Sequence, residues 1–246
     1  ASGFSPSDLA TAQKLNGEPL NPVLHVVGSN DPSNPMLEAQ LDVQMMSQVA
    51  ENVDLWYWEN NQWLYSFATQ FLNRTVIPKV LSMSWGWAEK QQCSIGTCYN
   101  LTSAQYIARV NLEYAKMGLR GVSVCISSGD AGAPGRTNEG CDDGSGVNPV
   151  FPGSSPYVTS VSATYLTGPE SSKQWISPLC QQYGCAKGSK ELPTNFNVTG
   201  WTTGGGFGIY AEKRPTWQAK AVEAYLKSGV KLPSNFSRNG RGYPDV

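Results

Sequence analysis

Ser103-Ala-Gln-Tyr-Ile-Ala-Arg-Val-Asn-Leu-Glu-Tyr-Ala-Lys-Met-Gly118, followed by Val122-Ser-Val-Cys-Ile-Ser-Ser-Gly-Asp130, joins a helical pattern to a short apolar strand and a glycine turn. Thr102 and Gln105 stand in capping-box spacing at the helix start, and Gly118 marks its expected end. Val122–Ser127 is rich in valine and isoleucine and too short for a helix, which predicts a buried strand. The same alternation recurs outward from this unit. Strands are predicted at Val23–Val27, Lys79–Ser84 and Tyr157–Ala163, and helices at Met36–Val49, Gln62–Leu72 and Pro215–Lys227. Pro215 suits a first helical turn, and Gly229 lies just past the end. Strands alternating with helices, with near-continuous apolar strands, imply an α/β fold: a doubly wound, mostly parallel sheet with helices on both faces. In such sheets chemistry gathers at the carboxyl ends of the strands. That rule directs attention to Ser84-Trp85-Gly86, to Ser127-Ser128-Gly129-Asp130, and to whatever follows Val27. The stretches 138–156 and 167–203 are rich in Gly, Ser, Pro and Cys and read as long loops.

The 246 residues suit a single domain spanning 1–246 with a substantial core. Eighteen basic and nineteen acidic residues leave a net charge of -1, with no basic run to track a phosphate backbone, which argues against nucleic acid as a partner. No apolar run approaches the roughly 20 residues of a membrane-spanning helix, and no basic-then-apolar leader stands at the start, so a soluble, already processed chain is expected. The six cysteines form two short Cys-x4-Cys loops, Cys93/Cys98 and Cys180/Cys185, with Cys125 and Cys141 remaining. All six are disulfide candidates, since no histidine lies near them to complete a common zinc set. Four Asn-x-Ser/Thr sequons, at Asn73, Asn100, Asn197 and Asn235, add to the even cysteine count in favour of a secreted or lysosomal/vacuolar glycoprotein.

Glu38 and Asp42 lie four residues apart in Leu37-Glu38-Ala39-Gln40-Leu41-Asp42-Val43. On a helix they share a face. Two carboxylates that close cannot both ionise freely, so one is raised toward a range useful for proton exchange. Leu37, Leu41, Val43, Met45 and Met46 give the pair an apolar setting. A solvated acidic face is the bland alternative. Ser127 or Ser128 resembles a nucleophile at a turn, yet the Gly-x-Ser-x-Gly pattern is absent, and a glycine-rich turn with Asp130 capping its own backbone is the better reading of the segment. The single histidine, His25, sits within an apolar strand as a core residue would, which makes a Ser-His-Asp triad improbable and a carboxylate base the better expectation. Gly204-Gly205-Gly206 lacks the Lys-Ser/Thr of a phosphate loop, but can offer backbone to an extended peptide. Trp56, Trp58 and Trp63 read as packing before sugar binding.

Several separated motifs together resemble one family. Glu38-Ala-Gln-Leu-Asp42, Leu81-Ser-Met-Ser-Trp-Gly86 with Glu89, Ser128-Gly-Asp130-Ala-Gly-Ala133, Asn148-Pro-Val-Phe-Pro152, Gly204-Gly-Gly-Phe207 and Gly240-Arg-Gly-Tyr-Pro-Asp-Val246 occur in the order seen in the sedolisins. These are serine-carboxyl peptidases with a subtilisin-like α/β fold, and they include the tripeptidyl-peptidases. The resemblance implies that Glu38 is general base and acid, that Asp42 orients it, and that Asp130 stabilises the oxyanion. It implies peptide substrates held extended against Ser84, Trp85 and Gly86 on one side and Ser128 and Gly129 on the other. A carboxylate base works best in acid, and an oxyanion-hole aspartate donates a hydrogen bond only while protonated, so an acidic working pH is expected.

The resemblance has one departure. The family's Gly-Thr-Ser nucleophile motif follows the Gly-Arg-Gly-Tyr-Pro-Asp-Val segment, and no Gly-Thr-Ser occurs in this sequence. The family's calcium ligands also lie beyond that serine, so calcium is implied but no metal ligand is expected in this chain. The expectation is therefore the large chain of a two-chain peptidase, partnered by a C-terminal chain of the same precursor. The alternative is a catalytically silent secreted glycoprotein using the same fold for binding, assembly or storage.

Overall fold

The computed structural model describes residues 3–136, 146–167, 190–211 and 213–246. In chain order the elements are α1 (Pro6–Leu15), β1 (Val23–Val27), α2 (Leu37–Val49), β2 (Leu55–Trp58), α3 (Trp63–Leu72), β3 (Val80–Met83), β4 (Trp87–Ala88), α4 (Gln92–Ile95), α5 (Ser103–Leu119), β5 (Ser123–Ser127), β6 (Val150–Phe151), β7 (Thr159–Val161), β8 (Thr164–Thr167), β9 (Lys190–Pro193), α6 (Phe196–Thr199), β10 (Gly206–Phe207), α7 (Ala219–Lys227) and β11 (Gly242–Tyr243). Helix α5 starts as its sequence dictates. Thr102 Oγ1 accepts from the Gln105 backbone N–H while Gln105 Oε1 accepts from the Thr102 N–H, the reciprocal capping box. It does not stop at Gly118. The helix runs on to Leu119, and Gly121, at φ 74°, takes the left-handed position that turns the chain into β5.

The strands around α5 are parallel. β3, β5 and β7 form a three-stranded sheet in that order, with Met83 opposite Ile126 and Ser127 opposite Val161. β1 pairs in parallel with β2 in a second group, while β4–β6, β8–β9 and β10–β11 are antiparallel pairs. The period of two decides which strand residues enter the core. Leu81 and Met83 of β3 and Val124 and Ile126 of β5 pack against Phe67 and Phe71 of α3 and Tyr106, Val110 and Tyr114 of α5. Each such aromatic contributes about 1.5–3 kcal/mol on full burial. The alternate residues face away from this layer. Val80, Ser82 and Val161 are exposed, so this face of the sheet carries little cover among the described residues.

α1 and β2 are among the elements without a counterpart in the sequence analysis. Ser5 caps α1 by accepting from the Asp8 N–H, and Leu9 and Phe4 pack with Val43 of α2. β2, Leu-Trp-Tyr-Trp, was read as aromatic packing and is also the strand that pairs with β1. Within the stretches read as loops lie β6, which pairs with β4, and β9, which pairs with β8 just past the strand predicted at Tyr157–Ala163. The C-terminal helix begins with a 3-10 turn at Thr216–Gln218 before α7. The terminal segment is tied to β7: the Asp245 N–H donates to Ser160 O at 2.8 Å, and Asp245 Oδ2 accepts both from the Ser160 N–H and from the fully buried Arg241.

Cys93 and Cys98 form a disulfide, and Cys125, mid-strand in β5 between Ser82 and Thr159, has no disulfide partner among the described residues. Cys141, Cys180 and Cys185 lie outside the described residues.

Candidate active site

Helix α2 presents Glu38 in its first turn and Asp42 one turn later. Leu37, Leu41, Met45 and Val49 recur every four residues on the neighbouring ridge, and all four are exposed. The apolar setting read from the sequence therefore corrects in part. One residue of rotation, about 100°, separates that ridge from the acids, so only Val43 and Met46 of the helix's nearby apolar residues turn inward.

The acids meet the sheet at its carboxyl end. Ser84, the first residue after β3, donates its hydroxyl to Asp42 Oδ1 at 2.7 Å across 42 residues of chain. β5 lies beside β3 in parallel, so Ser128-Gly129-Asp130 emerges from the same sheet edge. Gly129 adopts φ 108°, a backbone conformation that side chains resist, and this sharp turn directs Asp130 outward.

Electrostatics ties the three carboxylates together. Burial holds Glu38 above the usual carboxylate range, the negative charges of Asp42 and Asp130 raise it further, and the Ser84 hydroxyl and the Arg136 guanidinium pull it back. Asp42 is likewise raised by burial and opposed by its Ser84 hydrogen bond. A group that senses two other acids, a hydroxyl and a cation lies where proton transfer can be tuned. Arg136 Nη2 sits 3.5 Å from Asp130 Oδ2 and so adds positive charge beside that acid.

The walls of the site depend on glycine. A Cβ on Gly86 would lie 2.7 Å from Val150 Cγ1, and one on Gly204 would overlap the Ser128 carbonyl. The Gly204 N–H donates to Gly129 O, and Thr202 N–H donates to Asp130 O at 3.3 Å, closing the glycine run against the Asp130 turn. Part of that run is already paired within the chain, since Gly206 lies opposite Tyr243. Trp85 is exposed beside Gly86. Ser128 is buried, with its hydroxyl 3.3 Å from Thr203 Oγ1, an orientation that suits structure and not attack on a substrate. His25 stacks on Trp56 with ring centroids 4.0 Å apart. Asn73, Asn100, Asn197 and Asn235 are all exposed.

Three residues here escaped the sequence reading in whole or part. Arg136 had no motif to announce it. Thr203 Oγ1 accepts from the Ala163 N–H at 2.9 Å and bridges toward Ser128 and Ser162. Glu89, quoted only as part of a motif, is fully buried and accepts from Ser154 Oγ and from the Ile209 and Tyr210 N–H groups at 2.6–2.7 Å. Burial raises its pKa, and those bonds oppose the rise. No local pattern signals this network, because its partners lie 65 to 121 residues away.

With this geometry in hand, the comparisons decide the family. Over 250 residues, 99% of the chain, it is 39% identical to physarolisin of Physarum polycephalum. It is 33% identical over 261 residues to human tripeptidyl-peptidase 1, again across 99% of the chain. Among solved structures it matches Pseudomonas sedolisin, a serine-carboxyl proteinase solved with pseudo-iodotyrostatin, with a TM-score of 0.65 and 25% identity over 100% of the chain.

The chain belongs to the sedolisin family.

No family model matches it. This sedolisin chain spans 43% of physarolisin, 39% of the human enzyme and 62% of the solved bacterial chain. Its fold is the subtilisin-like α/β arrangement of parallel strands and helices expected from the sequence. No helix among the described residues is long and apolar enough to cross a membrane.

Proposed function

We propose that this chain supplies the acid machinery of a serine-carboxyl peptidase that cleaves peptide bonds in acid. The observation that carries the reading is the Glu38 carboxyl, raised by burial and by both Asp42 and Asp130 while Ser84 fixes Asp42 at 2.7 Å. Its relatives are peptidases, which supports the same class of reaction.

In the proposed step, ionised Glu38 removes the proton from a serine hydroxyl as its oxygen attacks the scissile carbonyl. Asp42, held by Ser84, stabilises the proton then carried by Glu38. The carbonyl oxygen becomes an oxyanion that the Asp130 carboxyl is assigned to stabilise, with the Arg136 cation alongside. Glu38 then returns its proton to the departing amine, and water repeats the sequence on the acyl-serine. The substrate backbone lies extended between Ser84-Trp85-Gly86 and Ser128-Gly129.

The serine comes from polypeptide equivalent to the part of the relatives that this chain does not span, as a C-terminal partner chain. The exposed face carrying Val80, Ser82 and Val161 is available to that partner. In this reading the calcium that the family implies is held by that partner chain. Among the described residues no group of three or more His, Cys, Asp or Glu could hold a metal ion, so no step here runs through one. Exposed sequons and the Cys93–Cys98 disulfide support passage through the secretory pathway to a secreted or lysosomal site.

The test is reconstitution. The chain is combined with a serine-bearing C-terminal segment and assayed on peptides near pH 4, about the range of carboxyl titration. Cleavage that depends on both polypeptides supports the proposal. A well-folded, stoichiometric complex with no cleavage at any pH from acid to neutral contradicts it and favours a silent glycoprotein.

A further inference from the structure

Helix α2 carries both acids, yet nothing local starts it. Met36 stands at its cap position and makes no side-chain bond to the first turn, where Ser, Thr, Asp or Asn would accept from the free backbone N–H groups. Glu38 lies in that first turn, and helix ends fray. An uncapped first turn holds a general base poorly, although a misplacement of about 1 Å is enough to cost most of a rate.

The missing cap comes from the segment Gly3–Asp8, which leads into α1. The Gly3 carbonyl accepts from the Met36 N–H at 2.8 Å, and Gly3 pairs with Pro35 in an isolated parallel bridge. Gln40 fastens the same segment from the helix side. Its Oε1 accepts from the Ser5 N–H at 2.8 Å, and its Nε2 donates to Asp8 Oδ2 at 2.7 Å. Both ends of the amide are engaged, which a glutamine on a solvated face does not require. Beneath these bonds Phe4 is buried with Leu9 and Val43, its ring 5.0 Å from that of Tyr57. The approach is close as well: Asn30 Oδ1 accepts from the Phe4 N–H at 2.8 Å, and a Cβ on Gly3 would overlap that oxygen and lie 2.5 Å from the Asp31 nitrogen. Gln40 stands two residues from each acid, about 200° of helix rotation, so it grips α2 from the side opposite them.

We infer that Gln40 is a positioning residue, which fastens Gly3–Asp8 onto α2 as the cap of its first turn and thereby holds Glu38 in place beside Asp42 and Ser84. For its catalytic consequence this rests on the peptidase reading; the fastening itself is a property of the fold. The groups facing Glu38 are Asp42 on its own helix, Ser84 after β3, and Asp130 and Arg136 after β5. Tyr57 of β2 senses both Asp42 and Glu59, and Asp8 of α1 faces Gln40. Burial is the largest cause of the raised Glu38 pKa, so a loosened first turn that admits water lowers it.

The experiment uses the full chain with isotope-labelled glutamate carboxyls and follows Glu38 by NMR through a pH titration, its signal identified by loss in Glu38→Gln. Wild type is compared with Gln40→Met, which keeps the side chain's length and removes both bonds, and with Gly3→Ala, which forces the attachment apart without altering α2. In both variants the Glu38 midpoint should move down toward the ordinary carboxylate range. Hydrogen exchange at Gln40, Leu41 and Asp42 should quicken roughly tenfold, the effect of losing about one net hydrogen bond. The double variant should add little to either single one, because both release the same attachment. In the reconstituted protein kcat/KM should fall roughly tenfold or more, with its acid limb at lower pH. Variants that are folded by circular dichroism, with midpoint and exchange equal to the wild type, overturn the inference. So does a loss of global stability with the midpoint unmoved, which is a merely structural role. A shifted midpoint in protein whose reconstituted wild type cleaves nothing supports the fastening and counts against the peptidase reading alone.

Discussion

Ser84→Ala removes one hydroxyl and isolates what positions the acid pair. In the structure that hydroxyl donates to Asp42 Oδ1 at 2.7 Å and opposes the upward shift of both Asp42 and Glu38. Hydrogen bonds to charged groups contribute about 1.5–3 kcal/mol. Ser84 is only half-buried, so solvent replaces part of the interaction and the lower end applies, about 1.5 kcal/mol or close to tenfold in rate. The sign for pH follows from which form is stabilised. Ser84 favours the ionised carboxylates, and its loss makes them harder to ionise. The rising acid limb of kcat/KM, which reports ionisation of the free enzyme's base, should therefore move to higher pH, with kcat/KM in acid falling about tenfold. The assay is a pH–rate profile of the reconstituted two-chain protein, with circular dichroism to verify folding. A limb that stays in place or moves to lower pH, in a folded variant, refutes the assignment of Ser84 and with it the coupling of the acids.

Other outcomes follow from the same structure. Glu38 and Asp42 have raised folded pKa values, so the folded chain binds more protons than the unfolded chain just above the ordinary carboxyl range, and stability falls as pH rises through that window. Urea titrations should show greater stability in acid than at neutral pH, and the difference should shrink in Asp42→Asn; a pH-independent midpoint would contradict the assignment. Gly204→Ala drives a Cβ into the Ser128 carbonyl and should destabilise by roughly 2–4 kcal/mol, a loss absent from Gly118→Ala, where nothing lies within 4 Å. Tyr114 Oη is buried without a hydrogen-bond partner among the described residues, so Tyr114→Phe should be neutral or stabilising by up to about 1 kcal/mol by thermal denaturation; a large loss would reveal a partner.

The sequence carried the parallel core well because its signals are local. Val23–Val27 matches β1 residue for residue, and the capping box starts α5 where Thr102 and Gln105 require. It carried the acid pair for the same reason, as two acids four residues apart on one helix face. What it did not carry depends on distant parts of the chain or on weak patterns. α1, Pro-Ser-Asp-Leu-Ala-Thr-Ala-Gln-Lys-Leu, buries only Leu9 and Gln13, too little apolar periodicity to read. β2 has no valine or isoleucine, and only its pairing with β1 makes it a strand. Gly118 looked like a terminator, but it stays helical, and the left-handed residue that turns the chain out of this helix is Gly121. The Ser84–Asp42 bond, the Arg136–Asp130 pair and the Glu89 network arise from folding. None is a spacing that a reader of the chain could count.

The central claim is that Glu38 moves the proton in peptide cleavage. The direct measurement is the kcat/KM of the reconstituted protein on an extended peptide in acid, for the wild type and for Glu38→Gln, which keeps the side chain's shape and removes its proton exchange. General acid–base catalysis of this kind contributes about 10²–10⁴-fold, and a loss of that size is predicted with assembly and stability unchanged. Equal rates for the two proteins would contradict the account.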